Sequence, residues 1–160
     1  MSENTREKLN NLRGRNNNFE NIVVYSFKVN EHQHINVHEI KRLEHSISSL
    51  RQFNKEIAIY LFCDNPHIIP PYFALNYSVR IKPFAEGFDH TMLNAWSIHR
   101  WYNLKYFDDE FYNILYVDAD TIFYHDVQYL FDTYCTHDVY GREEFGFRHD
   151  PNHGGGKNIR

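Results

Sequence analysis

Two carboxylates stand one residue apart, Asp118 and Asp120, directly after the apolar run Ile114-Leu115-Tyr116-Val117. Carboxylate oxygens are hard donors, and a closely spaced pair suits Mg²⁺ or Mn²⁺. Such an ion seldom has a complete protein cage; it shares its shell with phosphate oxygens of a substrate and neutralises charge on a departing group. The chemistry implied is transfer of a group from a nucleoside diphosphate. An extended backbone here predicts both carboxylates on one side and Ala119 on the other. A plain Asp turn that ends a strand accounts for the bare tripeptide equally well.

The elements that must position this pair follow from the hydrophobic pattern. Ile22-Val23-Val24-Tyr25-Ser26-Phe27 is β-branched and aromatic and reads as a first strand, followed by a polar loop, Lys28–Gln33. Val37, Ile40, Leu43, Ile47 and Leu50 recur at steps of three and four and predict an amphipathic helix, with Asn36 and Glu39 spaced as a capping box. Ile57–Phe62 is a second strand ended by Asp64-Asn65-Pro66, and Tyr77–Ile81 a third before Pro83. Asp89 is placed to cap a helix reaching about Phe107, and Val127–Tyr134 reads as a short helix. Ile114–Val117 is the kind of strand that is buried on both faces, and His137–Gly141 is a candidate last strand. This alternation predicts an α/β fold, with a mostly parallel sheet flanked by helices. In such sheets ligands sit beyond the carboxyl ends of the strands, which is where Asp118 and Asp120 fall.

The block Leu115-Tyr116-Val117-Asp118-Ala119-Asp120-Thr121-Ile122-Phe123, with Asp126-Val127-Gln128-Tyr129-Leu130-Phe131-Asp132 after it, resembles the metal-binding segment of GT-A glycosyltransferases. It is closest in style to the glycogenin and lipopolysaccharide galactosyltransferase group, family 8. Arg100-Trp101, Leu104 and Phe107 resemble the family helix that carries a basic residue ahead of the motif. The likeness covers roughly residues 22–141, and only the block around Asp118 is specific. It implies a GT-A, nucleotide-diphospho-sugar transferase type of fold and transfer of a sugar, with retained anomeric configuration, to an acceptor hydroxyl. The implied donor is a nucleotide-sugar, a UDP-sugar for this group. Mn²⁺ or Mg²⁺ would sit on Asp118 and Asp120, Arg100 at the diphosphate or sugar, and Tyr25 and Ser26 at the base and ribose. The acceptor, whether carbohydrate, lipid-linked or protein, is not indicated. Family members continue past this block into an acceptor side and a later metal-binding His. His137, His149 and His153 have no recognisable family context, so the resemblance implies a C-terminally incomplete domain.

Plainer readings compete residue by residue. Arg100 lies near Asp108 and Asp109 and suits a surface ion pair; Tyr25 and Ser26 suit core and strand-end roles; Asp64 suits a turn. His125 reads as a solvated side chain rather than a third ligand, and His32, His34, His38 and His45 do not match a zinc spacing. The aromatics of residues 96–107 read as packing. A nucleotidyltransferase of similar architecture is an alternative, against which the glycine-free Lys28-Val29-Asn30-Glu31-His32 counts; a non-catalytic binding module is another.

Composition bounds the rest. The 160 residues carry 17 Lys and Arg against 21 Asp and Glu, a net charge of −4, which gives no chain-wide attraction to nucleic acid. No apolar run approaches the roughly 20 residues of a membrane span, and Met1 to Asn21 lacks the apolar core of a signal peptide. The expectation is a cytoplasmic chain with a polar, frayed lead-in over 1–20 and one nucleotide-sugar-binding unit over 21–160. Cys63 and Cys135 read as buried thiols, with a single bridge as the alternative; Asn76-Tyr77-Ser78 is a formal glycosylation acceptor that matters only in a secretory lumen.

Overall fold

The computed structural model describes residues 20–28, 37–84, 102–107 and 112–134. Four strands form one all-parallel sheet: β1 (Glu20–Phe27), β2 (Ala58–Cys63), β3 (Val79–Pro83) and β4 (Tyr112–Val117), in the order β3-β2-β1-β4. The helices are α1 (Val37–Phe53), α2 (Tyr72–Tyr77) and α3 (Gln128–Tyr134), with 3₁₀ turns at Pro66–Ile68 and Leu104–Phe107. The expected α/β class and parallel sheet are therefore present.

The order of strands matters for function. The chain builds outward from β1 through β2 to β3, then returns to lay β4 on the other side of β1. The direction of winding reverses between β1 and β4, the position in open α/β sheets beyond whose carboxyl strand ends ligands sit.

Strand pleating sorts β1 into two sets of side chains. Val23, Tyr25 and Phe27 pack with Ile40, Leu43, Ile47 and Leu50 of α1, Phe73 of α2 and Phe131 of α3. Ile22 and Val24 face the opposite layer, with Tyr60, Phe62, Phe84 and Phe107. Phe107 meets Tyr60 edge-on at 5.0 Å and Phe62 at 5.9 Å, so the 102–107 segment lies over this second face. Aromatic pairs of this geometry add about 0.5–1.5 kcal/mol each beyond area burial. The high aromatic content thus has a structural use on this side of the sheet.

Helix α1 follows its apolar stripe and continues one turn past Leu50. Its end is tied down by Arg51, which donates from Nε to the Tyr77 carbonyl at 2.8 Å and from Nη1 to the carbonyls of Asn54 at 2.9 Å and Ile57 at 2.7 Å. One guanidinium so satisfies carbonyls left over by the helix and by the approach to β2. At the start of α1, Glu39 pairs with Arg42 at 3.2 Å; Asn36, the other half of the expected capping box, lies outside the described residues.

Several boundaries differ from expectation. Tyr77 ends a six-residue helix instead of opening a strand, and Ser78 at φ 52° takes the left-handed conformation that turns the chain into β3. Strand β3 runs through Pro83, which pairs with Cys63; an edge strand tolerates the missing N–H. Within the expected 89–107 helix, Leu104–Phe107 is a 3₁₀ turn, and residues 85–101 lie outside the described residues. So do the strand expected at His137–Gly141 and all of the lead-in except Glu20, where β1 begins. Among the described residues no helix is long and apolar enough to cross a membrane. Cys63 is a buried free thiol, and Cys135 lies outside the described residues.

Candidate functional site

Asp118 is the first residue beyond β4, and its place beside β1 follows from the register. Tyr25 pairs with Val117, so Ser26 and Asp118 are the next residues along two adjoining strands at their carboxyl ends. Ser26 is flanked on its other side by Phe62 of β2. These positions stand at the carboxyl edge of the sheet, where the winding reverses.

The backbone does not stay extended through the carboxylate pair. The Thr121 N–H donates to the Asp118 carbonyl at 3.1 Å and closes a turn over residues 118–121. The alternation expected for Asp118-Ala119-Asp120 is thus replaced by turn geometry. Ala119 still turns inward, packing against the α1-side core, while Asp118 and Asp120 are both exposed. The outcome for the carboxylates is similar, but the cause is a turn anchored on its small apolar residue.

That turn is fastened to the core from below. Phe123 packs against the α1-side cluster, and its N–H donates to Ser49 Oγ at 3.0 Å. Ser49 in turn donates to the Ser46 carbonyl at 2.7 Å, within α1. Further along, the Val127 N–H donates to Asn54 Oδ1 at 3.1 Å, and the Asn54 amide donates to Asp126. Asp126 also accepts the Gln128 N–H at 2.7 Å, at the start of α3. This backbone contact, with Asn54 second, holds the Asp126 carboxyl below its usual range. The segment that follows Asp118 and Asp120 is therefore pinned at two points, at Phe123 and at Asp126 with Val127, by side chains of α1 and its exit.

The other expected site residues separate. The Tyr25 side chain is fully buried on the α1 side, with its hydroxyl 3.0 Å from Ser46 Oγ, and burial pushes its pKa up to about 12. Its backbone is paired to Leu61 and Val117. Tyr25 thus holds the core position that competed with a nucleotide role, because pleating sends it away from the face Ser26 occupies. Ser26 is half-buried on the second face, and its Oγ accepts a 2.9 Å hydrogen bond from the Asn103 side-chain amide. Arg100 lies outside the described residues. Asp64 is half-buried and accepts from Cys63 Sγ at 3.6 Å; burial is the main reason that thiol is pushed up to about 12.

Asn103 was not singled out by sequence. It is fully buried, four residues before the equally packed Phe107. An amide on the buried side of an aromatic segment needs a buried partner, and that requirement is the signal it carried. Ser49 left a weaker trace, as a polar residue beside the stripe of α1.

Asp118 and Asp120 fit a hard divalent cation in donor chemistry: two exposed carboxylates just beyond a strand end. Among the described residues no group of three or more His, Cys, Asp or Glu side chains converges. His125 is exposed, with its ring 6.4 Å from that of Phe53 at the end of α1. A cleft of about 380 Å³ lies at the opposite sheet edge, between Asn21, Phe53, Asn54, Ile57, Asp126 and Gln128. Lys55 and Glu56 also line it; Asn21 bonds to Gln128 and Asn54 to Asp126 across it, and it lies at the amino ends of the strands, away from Asp118. No family model, no curated protein and no solved structure matches the chain.

Proposed function

We propose that this chain is the donor-binding part of a metal-dependent, GT-A-type glycosyltransferase that takes a nucleotide-sugar, with UDP as the nucleotide. One observation carries the reading: Asp118, at the head of an exposed Asp-x-Asp turn, stands beside Ser26 at the carboxyl ends of β4 and β1, where the sheet reverses its winding. The resemblance of residues 115–132 to the family-8 segment supplies the substrate class.

In this reading Asp118 and Asp120 hold Mn²⁺ or Mg²⁺ together with the donor diphosphate. When bound, the ion neutralises negative charge that develops on the departing nucleotide. The turn from Asp118 to Thr121 keeps both carboxylates out of the core, and Ser49 fixes the outgoing segment at Phe123 so that the pair stays at the sheet edge. Ser26 offers a hydroxyl at the same edge, and Arg100 is the proposed cationic partner of the diphosphate.

The discriminating assay is release of UDP from UDP-sugars in the presence of Mn²⁺, with water as the default acceptor. Slow, metal-dependent release that is lost in Asp118→Asn with Asp120→Asn is expected. UDP affinity without any release from the common UDP-hexoses would favour a non-catalytic binding module instead.

A further inference from the structure

Asn103 occupies an unusual position for an amide. It is fully buried between the 102–107 segment and the second face of the sheet. Its Nδ2 donates to Ser26 Oγ at 2.9 Å. A serine hydroxyl has one proton to donate and two lone pairs to accept with. Once a lone pair is engaged by an amide N–H, the proton is directed elsewhere. At Ser26 the neighbouring positions are Phe62, which offers no acceptor side chain, and Asp118, whose carboxylate is the one the bound cation would engage.

We infer that Asn103 is a positioning residue for the nucleotide: by donating to Ser26 Oγ it sets that hydroxyl as a hydrogen-bond donor toward an acceptor oxygen of the bound nucleotide, beside the metal carboxylates. The inference rests on the nucleotide reading above and adds a residue and a hydrogen-bond polarity that reading did not contain. Nucleotides present phosphate, ribose and base-carbonyl oxygens, all acceptors, so a fixed donor at this edge discriminates in their favour. A serine free to rotate would offer the same groups at an entropic cost. Burial of Asn103 excludes water, which would otherwise compete for the Ser26 lone pair.

The polarity makes the inference testable. In Asn103→Asp the shape is nearly kept and, at a pH high enough to ionise the buried carboxyl, the carboxylate accepts the Ser26 proton and withdraws it from the nucleotide. In Asn103→Ala the hydroxyl is released. UDP binding is measured by calorimetry with Mn²⁺ present, and thermal unfolding is followed on the same samples. Asn103→Asp and Asn103→Ala are each expected to weaken UDP about three- to tenfold, the loss of one modest hydrogen bond. The decisive step repeats both substitutions in a Ser26→Ala background. A positioning role predicts that they then cost no further affinity, whereas a purely structural role predicts the same loss with or without the serine hydroxyl. Ser26→Thr keeps the hydroxyl and is expected to retain affinity. Unchanged UDP affinity in folded Asn103→Asp overturns the inference while leaving the nucleotide reading intact. Absence of UDP binding by the unmodified chain overturns both.

Discussion

Tyr25 and Ser26 are adjacent in β1 and have opposite fates. Pleating sends Tyr25 into the α1-side core and Ser26 to the face that carries Asn103. Burial keeps the Tyr25 hydroxyl protonated to about pH 12, against about 10 in an unfolded chain, and keeps the Cys63 thiol protonated to about 12 against about 9. Both groups are raised, so their contribution is full below pH about 9 and is lost as pH climbs toward 12, because the unfolded chain ionises first. Each steepens the loss by about 1.4 kcal/mol per pH unit once its unfolded form ionises. Urea unfolding between pH 8 and 11 is expected to show a smaller alkaline loss for Tyr25→Phe with Cys63→Ala than for the parent chain. Equal pH dependence in the two would contradict burial of these groups.

Among the elements, α1 does more than cover the sheet. Its apolar stripe, Val37, Ile40, Leu43, Ile47 and Leu50, was legible because five residues at helical spacing outweigh any local ambiguity. Its contact with the Asp118 loop was not, since Ser49 looks like any solvated serine until Phe123 is brought beside it 74 residues later. Removing that hydroxyl leaves the Phe123 N–H part-buried without its acceptor, at a cost of about 1–3 kcal/mol. Ser49→Ala is therefore expected to lower the urea midpoint by that order and to weaken Mn²⁺-dependent UDP binding with it. A stability loss with wholly unchanged UDP affinity would separate α1 from the site. Helix α2 escaped sequence reading for a different reason: six residues after Pro70-Pro71 make too few turns to show a period, and Tyr77 resembles a strand residue in isolation. At Asp118 the sequence left alternation and a plain Asp turn open, and the turn is what forms, because the Thr121 N–H closes onto Asp118 as soon as β4 leaves its partner.

Over the whole molecule, the sheet order decides where chemistry can sit. Alternating strands and helices made a parallel sheet predictable, but not which strand lies in the middle. The order β3-β2-β1-β4 places β1 and β4 side by side with their ends open on the same edge, and that single fact brings residues 26 and 118 together. Local patterns carry the elements; pairing across 92 residues of sequence, as between Asn21 and Asn113, depends on tertiary packing that no local pattern encodes. The account's central claim is that this edge binds a nucleoside diphosphate through a divalent cation held by Asp118 and Asp120. The direct measurement is calorimetric titration of the chain with UDP, with and without Mn²⁺, alongside Asp118→Asn with Asp120→Asn. The account predicts UDP binding that requires Mn²⁺ and disappears in the double variant while its thermal unfolding stays near that of the parent. Metal-independent UDP binding, unchanged in the double variant, would contradict it.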